Sequence, residues 1–249
     1  MLSKNRIKFI KSLSLKKYRD ESGCFLAEGN KLIADLLPYF DCELLLFDSS
    51  WLVTQDVEKV SQLVKAEAGE IEKVSLQKNP QQVLAVFRKP NYQLDFHSLS
   101  GKLSLVLDEI QDPGNLGTII RIADWFGIEN IICSPETADV YNPKTIQATM
   151  GALSRVRVHY TDLYDFLEQN KTLPVYGTFL EGQDIYAENL TPEGLIVMGN
   201  EGNGISEKIK PFISKRLYIP NYPANRPASE SLNVAAATAI TCAEFRRRH

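Results

Sequence analysis

Apolar residues in this chain fall into short runs separated by stretches with helical spacing. CFLAEG (24–29), ELLLF (43–47) and VLAVF (83–87) read as buried strands, while KLIADLLPYF (31–40) and DVEKVSQLVKAEA (56–68) carry the period of helices. The second half alternates in the same way: LSLVL (103–107), IIC (131–133), VYGTF (175–179), LIVM (195–198) and RLYI (216–219) predict strands, with helical stretches between them. Such alternation implies an α/β fold with a parallel sheet and crossover helices. RKPNYQLDFHSLSGK (88–102) has no sustained period and contains Pro90 and Gly101, so a boundary is expected there, between a smaller domain at 1–98 and a larger one at 99–249. SLNVAAATAITCAEFRRR (231–248) reads as a helix with Ser231 or Asn233 as its cap, and Arg246, Arg247 and Arg248 stand where the helix dipole favours cations.

Composition narrows the class. With 249 residues, 44% hydrophobic and 24% charged, disorder, collagen and coiled coil are excluded. The cysteines (Cys24, Cys42, Cys133, Cys242) are scattered without a CxxC pair, and the histidines are His97, His159 and His249, so no zinc site or disulfide framework is expected. The apolar runs are strand-length and the N-terminus is polar and basic, so the expectation is a cytoplasmic protein with no membrane span and no metal.

Charge is uneven. The net charge is −3, yet residues 1–19 hold Lys4, Arg6, Lys8, Lys11, Lys16, Lys17 and Arg19 and no acid, so this arm carries +7 and the rest −10. Two readings stand: a polyanion footprint, or an amphipathic helix whose lysines are merely solvated while Ile7, Ile10 and Leu13 face inward.

In open α/β sheets ligands bind at the carboxyl ends of strands, and three strand ends here lead into polar or glycine-rich loops. In LDEIQDPGNLGTIIRIADWFGI (107–128) a Pro-Gly turn is followed by Asn115, expected to cap a helix whose apolar stripe is Leu116, Ile119, Ile120 and Ala123. Arg121 lies off that stripe and either reaches a strand-end cleft or pairs locally with Asp124 or Trp125. In LIVMGNEGNGIS (195–206) a strand runs into Gly199, Gly202 and Gly204 around Glu201, a loop expected to offer free N–H groups before a helix starting near Ser206. Its spacing matches neither a P-loop nor the dinucleotide fingerprint. In LYIPNYPANRPASESLNVAAATAI (217–240) a proline-rich loop precedes the alanine-rich final helix.

Together, in this order, these segments resemble the three motifs of the SpoU (TrmH-type) branch of the SPOUT RNA methyltransferases. DEIQDPGNLGTIIRIADWFG resembles the first motif, MGNEGNGIS the second and IPN with SESLNVAAA the third. MGALSRVRV (150–158) is similar to a segment between the first two, and FLAEGNKLIADLL (25–37) is similar to the substrate-binding domain of ribosomal RNA ribose methyltransferases. The resemblance implies a C-terminal trefoil-knotted, parallel-sheet SPOUT domain preceded by a smaller α/β substrate-binding domain. It also implies a homodimer with its active site at the subunit interface, S-adenosylmethionine as cofactor, and an RNA substrate. Methylation of a ribose 2′-hydroxyl is implied, in ribosomal RNA ahead of transfer RNA, with a catalytically inactive RNA-binding relative as the remaining alternative.

By the same resemblance, Asn115, Arg121, Glu201, Ser231 and Asn233 occupy positions tied to catalysis, and Met198, Gly199, Asn200, Gly202, Ile219 and Leu232 positions tied to the cofactor. A guanidinium stays protonated at neutral pH, so Arg121 is expected to clamp an RNA phosphate and stabilise charge developing on the 2′-oxygen rather than to act as a base. The sequence departs from the family pattern after Ile219-Pro220, where Asn221 replaces the usual methionine and YPANRPASE lengthens the loop.

Overall fold

The computed structural model describes residues 2–51, 57, 59–67, 69–95, 99–223 and 231–248. These divide into two compact units. The first comprises Met1–Asn91 with Asp139–Ser154, the second Tyr92–Ala138 with Arg155–His249.

In the first unit, strands β1 (Cys24–Glu28), β2 (Cys42–Phe47), β3 (Leu63–Lys65) and β4 (Val83–Arg88) form a sheet of order β1-β4-β2-β3. β4 runs antiparallel to β1 and β2, and β3 parallel to β2. Helices α1 (Lys4–Ser12), α2 (Lys16–Ser22), α3 (Asn30–Leu36) and α4 (Glu70–Val74) accompany the sheet. Both sheet faces are covered, so CFLAE and VLAVF are buried without alternation. Leu26, Leu44, Leu46, Leu84 and Val86 join Ile10 and Leu13 in one cluster. The odd-numbered face stacks Phe25 on Phe87, with ring centroids 5.6 Å apart.

Two expectations change here. The helix expected over 56–68 is not formed in its described part: Leu63–Lys65 joins β2 as an edge strand, and α4 begins only at Glu70. The segment 139–154, expected with the larger domain, packs with the first unit. Its Asp139 takes the buried Arg19 at 2.6 Å, and Tyr141 lies 4.9 Å from Phe25 between ring centroids.

The second unit is a seven-stranded, wholly parallel sheet. Its strands are β5 (Leu103–Leu107), β6 (Asn130–Cys133), β7 (Arg157–Tyr160), β8 (Val175–Phe179), β9 (Gln183–Asp184), β10 (Gly194–Met198) and β11 (Lys215–Tyr218), in the order β7-β6-β5-β10-β8-β11-β9. From β5 the chain first builds β6 and β7 on one side and later β8 to β11 on the other, so the direction of winding changes between β5 and β10. A crevice opens at the carboxyl edge of a parallel sheet where such a reversal occurs.

Helix α5 (Pro113–Trp125) buries Leu116, Ile119, Ile120 and Ala123, the expected stripe, and packs against α8 (Val234–Arg247). Arg246 of α8 donates to the carbonyls of Phe126 and Gly127 at the end of α5, satisfying acceptors that a helix terminus leaves open. α6 (Pro143–Thr149) belongs to the first unit and α7 (Leu163–Gln169) to the second. After the glycine loop only a 3₁₀ turn at Lys210–Phe212 forms, not the helix expected from Ser206.

Candidate functional site at the carboxyl edge of β5 and β10

Two turns meet at the reversal. Beyond β5, the Asp108 N–H donates to the Met198 carbonyl (2.9 Å), and the Asp108 carboxylate accepts the Ser206 N–H (2.7 Å). Glu109 takes a left-handed backbone with φ of 60°, a conformation costing a non-glycine residue about 1 kcal/mol. In that conformation its carbonyl accepts the Asn200 side-chain amide at 2.8 Å, stapling the turn after β5 to the loop after β10.

The glycine loop is closed on itself. A Cβ at Gly199 would sit 2.3 Å from Gly204 C and Ile205 N, so only glycine allows the chain to fold back there. Asn200 and Gly204 exchange backbone hydrogen bonds, and Asn200 Oδ1 accepts the N–H groups of Gly202 and Asn203. The expectation that this loop offers free N–H groups is therefore corrected: four of its amides are taken internally. Asn200 holds the loop's shape with both ends of its side chain and with its backbone N–H and carbonyl, both of which pair with Gly204.

That closure carries Glu201 on the tip. Glu201 Oε1 accepts the Asn115 amide (3.0 Å), and Asn115 Oδ1 accepts the Asn233 amide (3.0 Å). Asn233 Oδ1 in turn caps α8, accepting the N–H groups of Ala235 and Ala236. Because a carboxylate only accepts, Glu201 fixes which end of Asn115 faces it, and the helix cap fixes Asn233 in the same sense. Asn115 is free for this because it does not cap α5: Asp112 is the cap, its carboxylate taking the Asn115 N–H at 2.8 Å, with Pro113 as the first helical residue.

Three of the five expected catalytic residues are thus brought together. Ser231 and Leu232 lie exposed just before Asn233, and Ile219 is half-buried just beyond β11. Of the lengthened loop, Asn221, Tyr222 and Pro223 are described and residues 224–230 lie outside the described residues. Arg121 is exposed and makes no hydrogen bond or ion pair among the described residues. Asp124 pairs instead with Arg155 at 2.8 Å. Six positions on from Asn115, Arg121 lies about 240° round the helix, on one exposed face with Thr118 and Trp125. Trp125 is 84% exposed.

Sequence reasoning missed Asp108, Glu109 and Thr178. The first two brace the loops, and Thr178, near the end of β8, donates to the Val197 carbonyl beside Met198. The acidic pair after a strand was a signal that could have marked the turn; Thr178 carried none.

In the basic arm, Lys4, Lys8, Lys11, Lys16 and Lys17 are exposed, and Arg6 is half-buried and donates to Gln62. Arg19 is 2% exposed and is consumed by Asp139 and the carbonyls of Leu13 and Ser14, so it is removed from the expected RNA contacts. Among the described residues no group of three or more His, Cys, Asp or Glu is placed to hold a metal ion. No helix of the described residues is long and apolar enough to cross a membrane.

A parallel sheet with a closed glycine loop and an amide–carboxylate relay at its winding reversal defines an α/β protein of the SpoU type. Residues 102–243 match the SpoU rRNA Methylase family and residues 4–85 the MRM3-like substrate binding domain. The chain belongs to the SpoU rRNA Methylase family. It is 32% identical, over 94% of its length and 93% of the relative's, to 23S rRNA (guanosine(2553)-2'-O)-methyltransferase RlmP of Bacillus subtilis. Among solved structures, a TrmH-family protein from Porphyromonas gingivalis is 40% identical with a TM-score of 0.89, covering all of both chains. An AdoMet-bound rRNA methyltransferase from Sinorhizobium meliloti is 31% identical with a TM-score of 0.88, covering 100% of this chain and 96% of that one.

Proposed function

We propose that the protein is an S-adenosylmethionine-dependent methyltransferase that methylates a ribose 2′-hydroxyl of ribosomal RNA. The observation that carries this is the relay Glu201–Asn115–Asn233 at the carboxyl edge of β5 and β10. Relatives that match both units and are named for ribosomal RNA favour that substrate over transfer RNA.

S-adenosylmethionine, when bound, supplies a methyl group on a sulfonium. The residues present fit it. A Cβ at Gly202 would meet nothing nearer than Asn200 Oδ1 at 3.6 Å, so a flat adenosine can approach the main chain there. Met198, Gly199, Gly202, Ile219 and Leu232 would hold it, with Asn200 bracing the glycine loop. Glu201 presents a carboxylate at the loop tip, and Asn115 holds that carboxylate in place. Arg121 donates to an RNA phosphate and to the 2′-oxygen, on which negative charge grows as its proton passes to solvent water. Alignment of donor and acceptor supplies much of the rate gain.

We also infer a trefoil knot and a homodimer. β11 lies beyond β8 in the sheet order, whereas α8, which follows it, packs on α5, the helix between β5 and β6, and this packing out of chain order supports the knot. The exposure of Thr118, Arg121 and Trp125 on one face of α5 supports an interface there, with Arg121 serving the partner's cleft and Trp125 buried against the partner. In the arm, the exposed lysines stand with exposed Phe9 and Tyr18, a cationic and aromatic surface suited to RNA. All four cysteines are free and buried, which supports a reducing compartment, the cytoplasm.

The test is methyl transfer from labelled S-adenosylmethionine to ribosomal and transfer RNA, with ribose methylation mapped by position. One ribosomal 2′-O position, lost in Arg121→Ala, is the expected result. Base methylation, or transfer RNA as the better acceptor, would overturn the assignment.

A further inference from the structure

Glu109, in the turn after β5, is held from two sides. Its carbonyl accepts the Asn200 side chain, and its N–H donates to the Ser134 hydroxyl at 3.0 Å. The N–H belongs to the peptide plane before the Cα and the carbonyl to the plane after it. Planar peptides leave φ and ψ as the soft angles at a residue, so pinning both planes fixes both angles. Here they are fixed in the left-handed region, at a φ of 60°, which a glutamate does not adopt by preference. Relaxation to a negative φ would turn one plane against the other, and either Ser134 or Asn200 would lose its partner.

Ser134 follows β6 directly, and its hydroxyl is itself oriented. The Ser134 N–H donates to the Leu107 carbonyl at 3.0 Å and the Thr137 N–H to the Ser134 carbonyl at 3.1 Å, so residues 134–137 form a turn laid against the end of β5. The Thr137 hydroxyl lies 3.2 Å from the Leu107 carbonyl and 3.2 Å from the Ser134 hydroxyl. A hydroxyl has one proton and two lone pairs, and a carbonyl can only accept. Thr137 therefore gives its proton to Leu107, Ser134 gives its proton to Thr137, and the Ser134 oxygen keeps its lone pairs for the Glu109 N–H. Ser134 and Thr137 are 5% and 3% exposed, so bulk water does not compete for these bonds. One residue further on, the Ala138 N–H donates to the Ile110 carbonyl at 2.8 Å and ties the same two turns together.

We propose that Ser134 is a positioning residue for methyl transfer, with Thr137 setting the direction of its hydroxyl. It acts through Glu109. The held carbonyl fixes the Asn200 side chain, Asn200 Oδ1 gathers the N–H groups of Gly202 and Asn203, and the closed loop carries Glu201 to Asn115. A turn after β6 thereby shapes a loop after β10, two strands across the sheet. The inference rests on the methyltransferase reading for its consequence in catalysis, while the brace itself is testable on the protein without cofactor.

The full chain is labelled with ¹⁵N at its 14 glycines, and deuterium exchange of the Gly202 and Gly204 amides is followed without ligand. Ser134→Ala is expected to speed both about tenfold, through loss of one buried hydrogen bond. Thr137→Val keeps the shape and removes the hydroxyl, and is expected to speed them about threefold; Thr137→Ser keeps the hydroxyl and is expected to restore the wild-type rate. Gly177, buried within β8, is the control: equal acceleration there would mean a general loss of stability and would overturn the assignment. Should Ser134→Ala not fold, the two Thr137 variants carry the same test. S-adenosylhomocysteine affinity, by calorimetry, is expected to fall about tenfold in Ser134→Ala, and Ser134→Ala is expected to add no loss in an Asn200→Ala background. Unchanged exchange at Gly202 and Gly204, or losses that multiply in the double variant, would also overturn it. A wild type that binds no S-adenosylhomocysteine while Gly202 responds to Ser134→Ala would overturn the methyltransferase reading and leave the brace standing.

Discussion

Asn115 and Arg19 illustrate how a residue's partners decide its work. Asn115 is spared from capping because Asp112 does that, and its amide is then available to join Glu201 to Asn233. Replacing Asp112 by Ala is expected to lower stability by about 1 kcal/mol, the usual cost of a lost cap. Asn115→Ala keeps the cap, so thermal unfolding should barely move while the rate of methyl transfer falls at least tenfold. Equal losses in melting and rate for Asn115→Ala would mean that the amide is structural. Arg19 shows the converse: a cation counted with the RNA-facing arm is buried against Asp139. Arg19→Ala is expected to cost about 3 kcal/mol, because it leaves Asp139 without its partner. Lys16→Ala should instead leave stability unchanged and lower the slope of log affinity against log salt by about 0.7 to 0.9. Denaturant melts and RNA titrations at several salt concentrations separate the two.

At the scale of elements, α8 is held at both ends. Asn233 caps its start and joins the relay, while Glu244 near its end accepts hydrogen bonds from Arg247 and Arg248. The Arg247 hydrogen bonds hold the Glu244 carboxyl down at about 2, from an ordinary 4.5. A depressed carboxylate contributes stability that is complete above its unfolded value and lost as pH falls. That contribution should therefore drain between pH 4.5 and about 2. Glu244→Gln should melt lower than wild type at pH 7 and converge with it near pH 2, as followed by circular dichroism. Ser104 in β5 and Thr241 in α8 bury hydroxyl oxygens that find no partner among the described residues. Ser104→Ala should gain about 1 kcal/mol by removing that burial.

The elements also show what could be read in advance. The stripe of α5 and the runs of β5 and β10 were legible because each is a local pattern of burial. The edge strand at Leu63–Lys65 was not: VSQLVKAEA carries a helical period, and pairing with β2 overrode it. Asp112-Pro113 was a readable start signal, obscured by reading Pro113-Gly114 as a turn rather than as the first turn of α5. The closure of the glycine loop by Asn200 depends on a side-chain orientation that no spacing encodes.

For the whole molecule, the division of the chain is the feature least visible in sequence. Residues 139–154 sit between two strands of the parallel sheet yet pack with the first unit, because Asp139 and Tyr141 find Arg19 and Phe25 more than a hundred positions away. The inferred dimer is tested at this scale. Trp125→Glu places a charge on the most exposed large apolar side chain of α5, and sedimentation should then show a monomer without methyl transfer, since Arg121 no longer reaches the partner's cleft. A dimer that survives Trp125→Glu with full activity would move the interface elsewhere.

The hydrogen bond between Asn115 and Asn233 joins positions 118 residues apart in the chain. At a ribosome's pace of about 5 to 20 residues per second, the second amide emerges roughly 6 to 24 s after the first. Strands β6 to β11 emerge during that interval, and Asn233 follows all of them. On the proposed reading of the relay, catalytic competence arrives last, so an unfinished copy still tethered to the translating ribosome is unarmed while surrounded by RNA.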